Sequence, residues 1–180
     1  MPLAPEYFTA DMVRALPEDG NRYELVHGEL LVSPAPRMLH QLLHSLLFEE
    51  LAIYCRANTC GRVLSSPADI SWSEDSLVQP DLFVVPPELI ATRRWSDIRT
   101  LSLVVEILSP STARHDRFQK RKYYQANGVP TLWLVEADKK YVEVWTPEAP
   151  FPQVETTRLT WRPHERAPAF EMDLAKLFAA

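Results

Sequence analysis

Residues 101–145 constrain the fold more than any other stretch. "LSLVVEILS" (101–109) is an almost unbroken apolar run, the pattern of a strand that is covered by the rest of the molecule. Helical character follows from about Thr112 to Asn127 and stops at Gly128, a residue suited to ending a helix. "TLWLVEA" then returns to strand. Strand, helix and strand in that order make a crossover, so the two strands are expected to lie parallel in one sheet. "YVEVWT" follows a tight turn through Asp138-Lys139-Lys140 and adds a further strand. The chain is therefore expected to build a sheet with helices on its faces.

The remaining segments fit that plan. "FTADMVRAL" reads as a short helix capped by Thr9, and "NRYELVHGELLVS" as a hairpin turning at His27-Gly28. A long helix is expected from about Arg37 to Asn58. Its apolar positions Leu39, Leu42, Leu43, Leu46, Leu47, Leu51 and Tyr54 recur every three or four residues and form one stripe. "RVLSS", "ADISWS" and "DLFVVP" read as strands, and a short helix lies around Pro87 to Trp95. The fold class is α/β, with a mixed sheet. The 180 residues, 46% of them hydrophobic, suit a single domain over 1–180. Its core spans about 22–146, and the proline-rich "PEAPFPQ" leads into a C-terminal extension over 147–180.

Charge and cysteine content narrow the functional classes. Nineteen Lys and Arg against 24 Asp and Glu give a net charge of −5, so no bulk basic charge speaks for nucleic acid, although a local patch can bind phosphates. No run is long enough to span a membrane, and "MPLAPEYFTADM" lacks a secretory pattern; a cytoplasmic protein with no membrane partner is expected. Cys55 and Cys60 suit reduced thiols, because zinc would need two further ligands and no second pair exists. "HQLLH" (His40 to His44) mimics a metalloprotease helix, but Gln41 stands where that chemistry requires a glutamate. His40 lies at the margin of the apolar stripe, compatible with a core histidine or with a site role. Trp133 and Trp145 fall in apolar strands and are expected in the core, whereas Trp95 and Trp161 stand nearer polar residues and are candidates for exposure.

Three acids occupy strand positions: Glu24 in the hairpin, Asp81 opening "DLFVV", and Glu106 closing "LVVE". A lone carboxylate in an apolar setting costs several kcal/mol unless a cation or donors meet it. Asp81, Phe83 and Val85 share one strand face, as do Val104, Glu106 and Leu108. If the two strands are neighbours, their carboxylates converge. A hard cation such as Mg²⁺ would explain that, and so would pairing of each acid with an arginine. Asp116 and Lys120, four apart, share a helix face with Tyr124 one turn on. Arg114, Arg117, Lys120, Arg121 and Lys122 make this helix the most basic stretch of the chain. Cations beside carboxylates suit a phosphodiester and its metal, and Arg114, Arg117, Arg121 and Lys122 are the candidate DNA contacts.

These residues carry a resemblance. "RYELVHGELLVSPAP" followed by His40, then "QPDLFVV", then "LVVEILSPSTARHDRFQKRKYYQANGVPTLWLVE", resemble the Uma-type family of putative restriction endonucleases, within the PD-(D/E)XK nuclease superfamily. The likeness runs from about Arg22 to Trp145. It implies a restriction-endonuclease-like core of helix, three strands, helix and strand. It implies that Asp81 and Glu106 are catalytic acids binding Mg²⁺, with Mn²⁺ as a substitute, and that Glu24 is a further metal ligand. Lys120 would assist the attacking water from the helix, since the superfamily's usual lysine position, two residues after the second acid, is Leu108 here. His40 would support the site, and Asp116 either orients Lys120 or caps the helix. The implied function is Mg²⁺-dependent endonucleolytic hydrolysis of DNA. Leu108 and the acidic net charge favour an alternative, a nuclease-like module that binds DNA or protein without turnover; hydrolysis of a smaller phosphate ester is a third reading. DNA is the expected partner, and a homodimer is left open.

Overall fold

The structure, a computed structural model, describes residues 7–179. Strands β1 (Arg22–Val26) and β2 (Glu29–Ser33) form the expected hairpin, with Glu24 opposite Leu31. His27 and Gly28 both adopt positive φ (51° and 79°), the turn geometry that matches the twist of paired strands. Here glycine is also required sterically, because a Cβ on Gly28 would run into the Tyr7 ring. The hairpin belongs to a four-stranded sheet in the order β2-β1-β5-β4, with β4 at Ile70–Ser73 and β5 at Ser76–Val78. The sequence reading did not anticipate β5; three residues are too few to show a period.

A six-stranded sheet carries the rest, in the order β10-β9-β8-β7-β6-β3. Its members are β3 (Arg62–Ser65), β6 (Leu82–Val85), β7 (Leu103–Leu108), β8 (Leu132–Glu136), β9 (Tyr141–Trp145) and β10 (Gln153–Glu155). Strands β7 and β8 run parallel, as the crossover requires, and the other pairs are antiparallel. Alternation sorts the side chains into two cores. Leu82, Val84, Val105, Ile107, Trp133 and Val135 pack with Leu43, Leu47 and Leu51 of α2 (Met38–Asn58). From the other face, Phe83, Val85, Val104, Leu108 and Leu134 meet Tyr123 and Tyr124 and the buried side of the small sheet.

The short helix α1 (Ala10–Arg14) forms as expected, with the Thr9 hydroxyl accepting from the Met12 N–H. Between β6 and β7 lie α3 (Pro87–Ile90) and a 3₁₀ turn (Trp95–Asp97). The crossover helix is not uniform: α4 (Ala113–His115) leads into a π-helical turn (Asp116–Lys120), and then into α5 (Arg121–Ala126). At the C-terminus, β11 (Arg158–Trp161) pairs with β12 (Phe170–Asp173) ahead of α6 (Leu174–Leu177). Leu159, Trp161, Phe170, Leu174 and Leu177 join the same core as α2. Trp161 is therefore buried, against expectation, because β11 alternates with Leu159 and Trp161 inward and Arg158 and Thr160 outward. Trp95 is exposed, and Trp133 and Trp145 are buried. Both cysteines are free and buried, and burial raises their thiol pKa values, which makes them unreactive. Among the described residues, no helix is long and apolar enough to cross a membrane.

Candidate active site

Strands β6 and β7 pair with Leu82 opposite Val105, and the same register carried one step further sets Asp81 across from Glu106. The two acids predicted to converge if their strands were neighbours are on neighbouring strands. Asp81 is anchored from several elements. The Ile107 N–H donates to its Oδ2 (2.8 Å), Arg22 Nη1 of β1 donates to its Oδ1 (2.8 Å), and His40 Nε2 of α2 lies 3.0 Å from Oδ2. His44 Nε2 lies 3.2 Å from its backbone carbonyl. Burial opposes ionisation of Asp81, but the bond to His40 and the Arg22 charge outweigh it and hold its pKa below the usual carboxylate range.

Glu106 is engaged differently. Lys120 Nζ, on the π turn, lies 2.7 Å from its Oε1, 2.9 Å from Glu24 Oε1 and 3.3 Å from Asp116 Oδ1. The Tyr124 hydroxyl donates to the same Glu106 oxygen at 2.6 Å. Glu24 is further fixed by the Gln79 N–H (2.7 Å). A π turn is rare and concentrates at functional sites. Here it carries Asp116 and Lys120 together into the site, both buried. Burial alone would lower the Lys120 pKa, but Glu106, Glu24 and Asp116 raise it well above the ordinary lysine value. Burial raises Glu106 well above the ordinary glutamate value against the pull of Lys120, and Asp81, Asp116 and Glu24 add to the rise. Asp116 is raised for the same reasons, burial first.

The charge count explains those opposite directions. Four buried carboxylates (Glu24, Asp81, Glu106, Asp116) face two permanent cations, Arg22 and Lys120. Counting the carboxylates against these two cations alone, a formal charge of −2 is left over. These six groups and His40 line one open pocket of about 320 Å³, rimmed by Ser33 to Arg37 and Ser109 to Thr112. A hard dication suits this surplus and these oxygen donors. Mg²⁺ in particular takes one or two protein carboxylates and keeps several waters. Among the described residues no three His, Cys, Asp or Glu side chains form a ready-made metal cage. The fit is therefore to a two-carboxylate site rather than an all-protein cage, with Asp81 and Glu106 as the facing acids.

Glu24, His40, Asp81, Glu106, Asp116 and Lys120 are thus gathered at one place. The four basic residues expected to contact DNA do not line this pocket. Arg117 is held by Glu136 (2.8 Å) and Glu143 (2.9 Å) of β8 and β9, and Arg121 lies over the Trp145 ring, 4.3 Å from its centre. Arg114 and Lys122 are exposed, with no ion pair among the described residues. The sequence reading missed Arg22 and His44 as partners of Asp81. A signal for Arg22 existed: it stands two residues before Glu24 on one strand, so both point to the same face. His44 follows His40 by four residues, one helical turn.

No curated protein matches the chain. A crystal structure of a putative nuclease from Anabaena variabilis ATCC 29413 superposes with a TM-score of 0.78, covering 96% of this chain and 98% of that one at 18% identity. At that identity the comparison establishes a shared fold. The family model Uma2, described as a putative restriction endonuclease, matches residues 10–175, and the Asp81–Glu106–Lys120 site lies within that span. The chain belongs to the Uma2 family of putative restriction endonucleases.

Proposed function

We propose that this protein is a Mg²⁺-dependent endonuclease that hydrolyses DNA phosphodiester bonds. The observation that carries the reading is the surplus of buried carboxylates in one pocket: Glu24, Asp81, Glu106 and Asp116 face only two permanent cations, Arg22 and Lys120. Asp81 and Glu106 would hold the ion, with Glu24 as the further carboxylate across Lys120, and Mn²⁺ would substitute. When bound, the ion supplies acidification of a water and offsets charge on the phosphate.

The chain's own residues do the rest. Arg22, His40 and the Ile107 N–H hold Asp81 in place, and Tyr124 holds Glu106. Lys120 lines the pocket and is kept fully charged, so it can donate to the charge that grows on the phosphate or orient the attacking water. Asp116 positions Lys120. Arg114 and Lys122, exposed and without ion pairs among the described residues, are available to the DNA backbone, whereas Arg117 and Arg121 are occupied in holding the helix to β8 and β9. A cytoplasmic setting, with DNA as partner and a homodimer as the arrangement to test, completes the proposal.

The deciding experiment incubates supercoiled plasmid and circular single-stranded DNA with the protein in Mg²⁺, Mn²⁺ or EDTA. Cleavage is expected with either ion and not with EDTA, and Asp81→Asn and Glu106→Gln should each abolish it. Lys120 is already saturated by three carboxylates, which favours a second reading: a nuclease-like module that binds without turnover. DNA binding without cleavage under any metal would replace the enzyme by that module.

A further inference from the structure

Phe118 sits on the π turn between Asp116 and Lys120, both of which line the site, yet its own ring is 60% exposed. It faces an open groove of about 610 Å³ shared with Glu29, Arg114, His115 and Gln119. The Glu29 carboxylate in that groove is engaged by Gln119. Four residues to either side stand Arg114 and Lys122, exposed and without ion pairs among the described residues. An aromatic ring between two unspent cations on one helix is an arrangement matched to a strand of nucleic acid. The cations meet phosphates, and the ring offers a face to a base.

Resting on the nuclease reading, we infer that the protein takes DNA with unpaired bases, single-stranded or locally opened, and that Phe118 stacks on a base of the bound strand. A duplex buries its base faces and offers this ring nothing. An unpaired base gains a stacking contact whose loss by alanine substitution costs about five-fold or more in affinity.

The test is fluorescence anisotropy with a labelled 20-nucleotide single strand and the corresponding duplex, in Ca²⁺ at fixed salt. The single strand should bind the parent several-fold more tightly than the duplex. Phe118→Ala should weaken single-strand binding about five-fold or more and duplex binding less than two-fold, while Phe118→Trp keeps single-strand affinity. A matched melting temperature for each variant verifies folding. Equal losses on both substrates, or none on either, overturn the stacking role. If plasmid is still cleaved in those cases, the nuclease reading stands without it. Failure of the parent to bind or cut any DNA removes both.

Discussion

Lys120 Nζ stands 2.7 Å from Glu106 Oε1, a buried ion pair that ties the π turn to strand β7 at the centre of the larger sheet. The same ammonium reaches Glu24 of the small sheet, so one side chain joins three elements. Removing it leaves three carboxylates facing one another with no counter-charge. Lys120→Met should destabilise the metal-free protein by about 3–5 kcal/mol near neutral pH, read by urea unfolding. A change below about 1 kcal/mol would show that the carboxylates are neutralised by something other than Lys120.

The crowding of Glu106 has a pH signature. Its folded-state pKa is raised above the ordinary value of 4.5, so its favourable contribution is complete below that pH and is lost as pH rises through the folded value. Asp116 behaves alike from 3.8 upward. Glu106→Gln removes one of these penalties. Relative to the parent, the metal-free variant should gain stability progressively as pH rises above 4.5, the direction that the raised pKa of Glu106 sets, as read by urea unfolding at a series of pH values. Parallel stability curves for the two proteins would contradict the assignment.

Asp81 titrates in the opposite sense. Its lowered pKa means that its contribution is present above the ordinary value of 3.8 and fades as pH falls below it. Simple repulsion between adjacent acids would make Asp81→Asn neutral or stabilising, but the Arg22 guanidinium already pairs with this charge and His40 and the Ile107 N–H hydrogen-bond it. Arg22→Met should therefore cost about 3 kcal/mol, and Asp81→Asn should also lower the metal-free melting temperature. If Asp81→Asn melts at or above the parent temperature, the Arg22 contact carries no net stability.

Metal binding separates the two acids from their neighbours. Isothermal titration of Mg²⁺ or Mn²⁺ should show binding to the parent and to Lys122→Ala, and none to Asp81→Asn or Glu106→Gln. Bound ion should raise the parent melting temperature, and the two acid variants should lose that rise. Undiminished binding to both would place the ion elsewhere.

Much of this protein was legible from local pattern alone. Alternation puts Asp81, Phe83 and Val85 on one face and Val104, Glu106 and Leu108 on one face, whatever lies above them. The apolar runs of β7 and β8 with a helix between them dictate a parallel crossover, and His27-Gly28 dictates a hairpin turn. These are short-range properties, decided by backbone sterics and by which side chains repeat at which period. What tertiary structure alone decided is which charge meets which. By composition Arg114, Arg117, Arg121 and Lys122 are equivalent cations, yet two are spent on Glu136, Glu143 and the Trp145 ring, and the other two are exposed with no ion pair among the described residues. Arg22 meets Asp81 across 59 positions of sequence and Lys120 meets Glu24 across 96. No local propensity encodes such pairs; they exist because burial of the two sheet faces brings distant strands and the crossover helix to one place, where unpaired charge is too costly to leave.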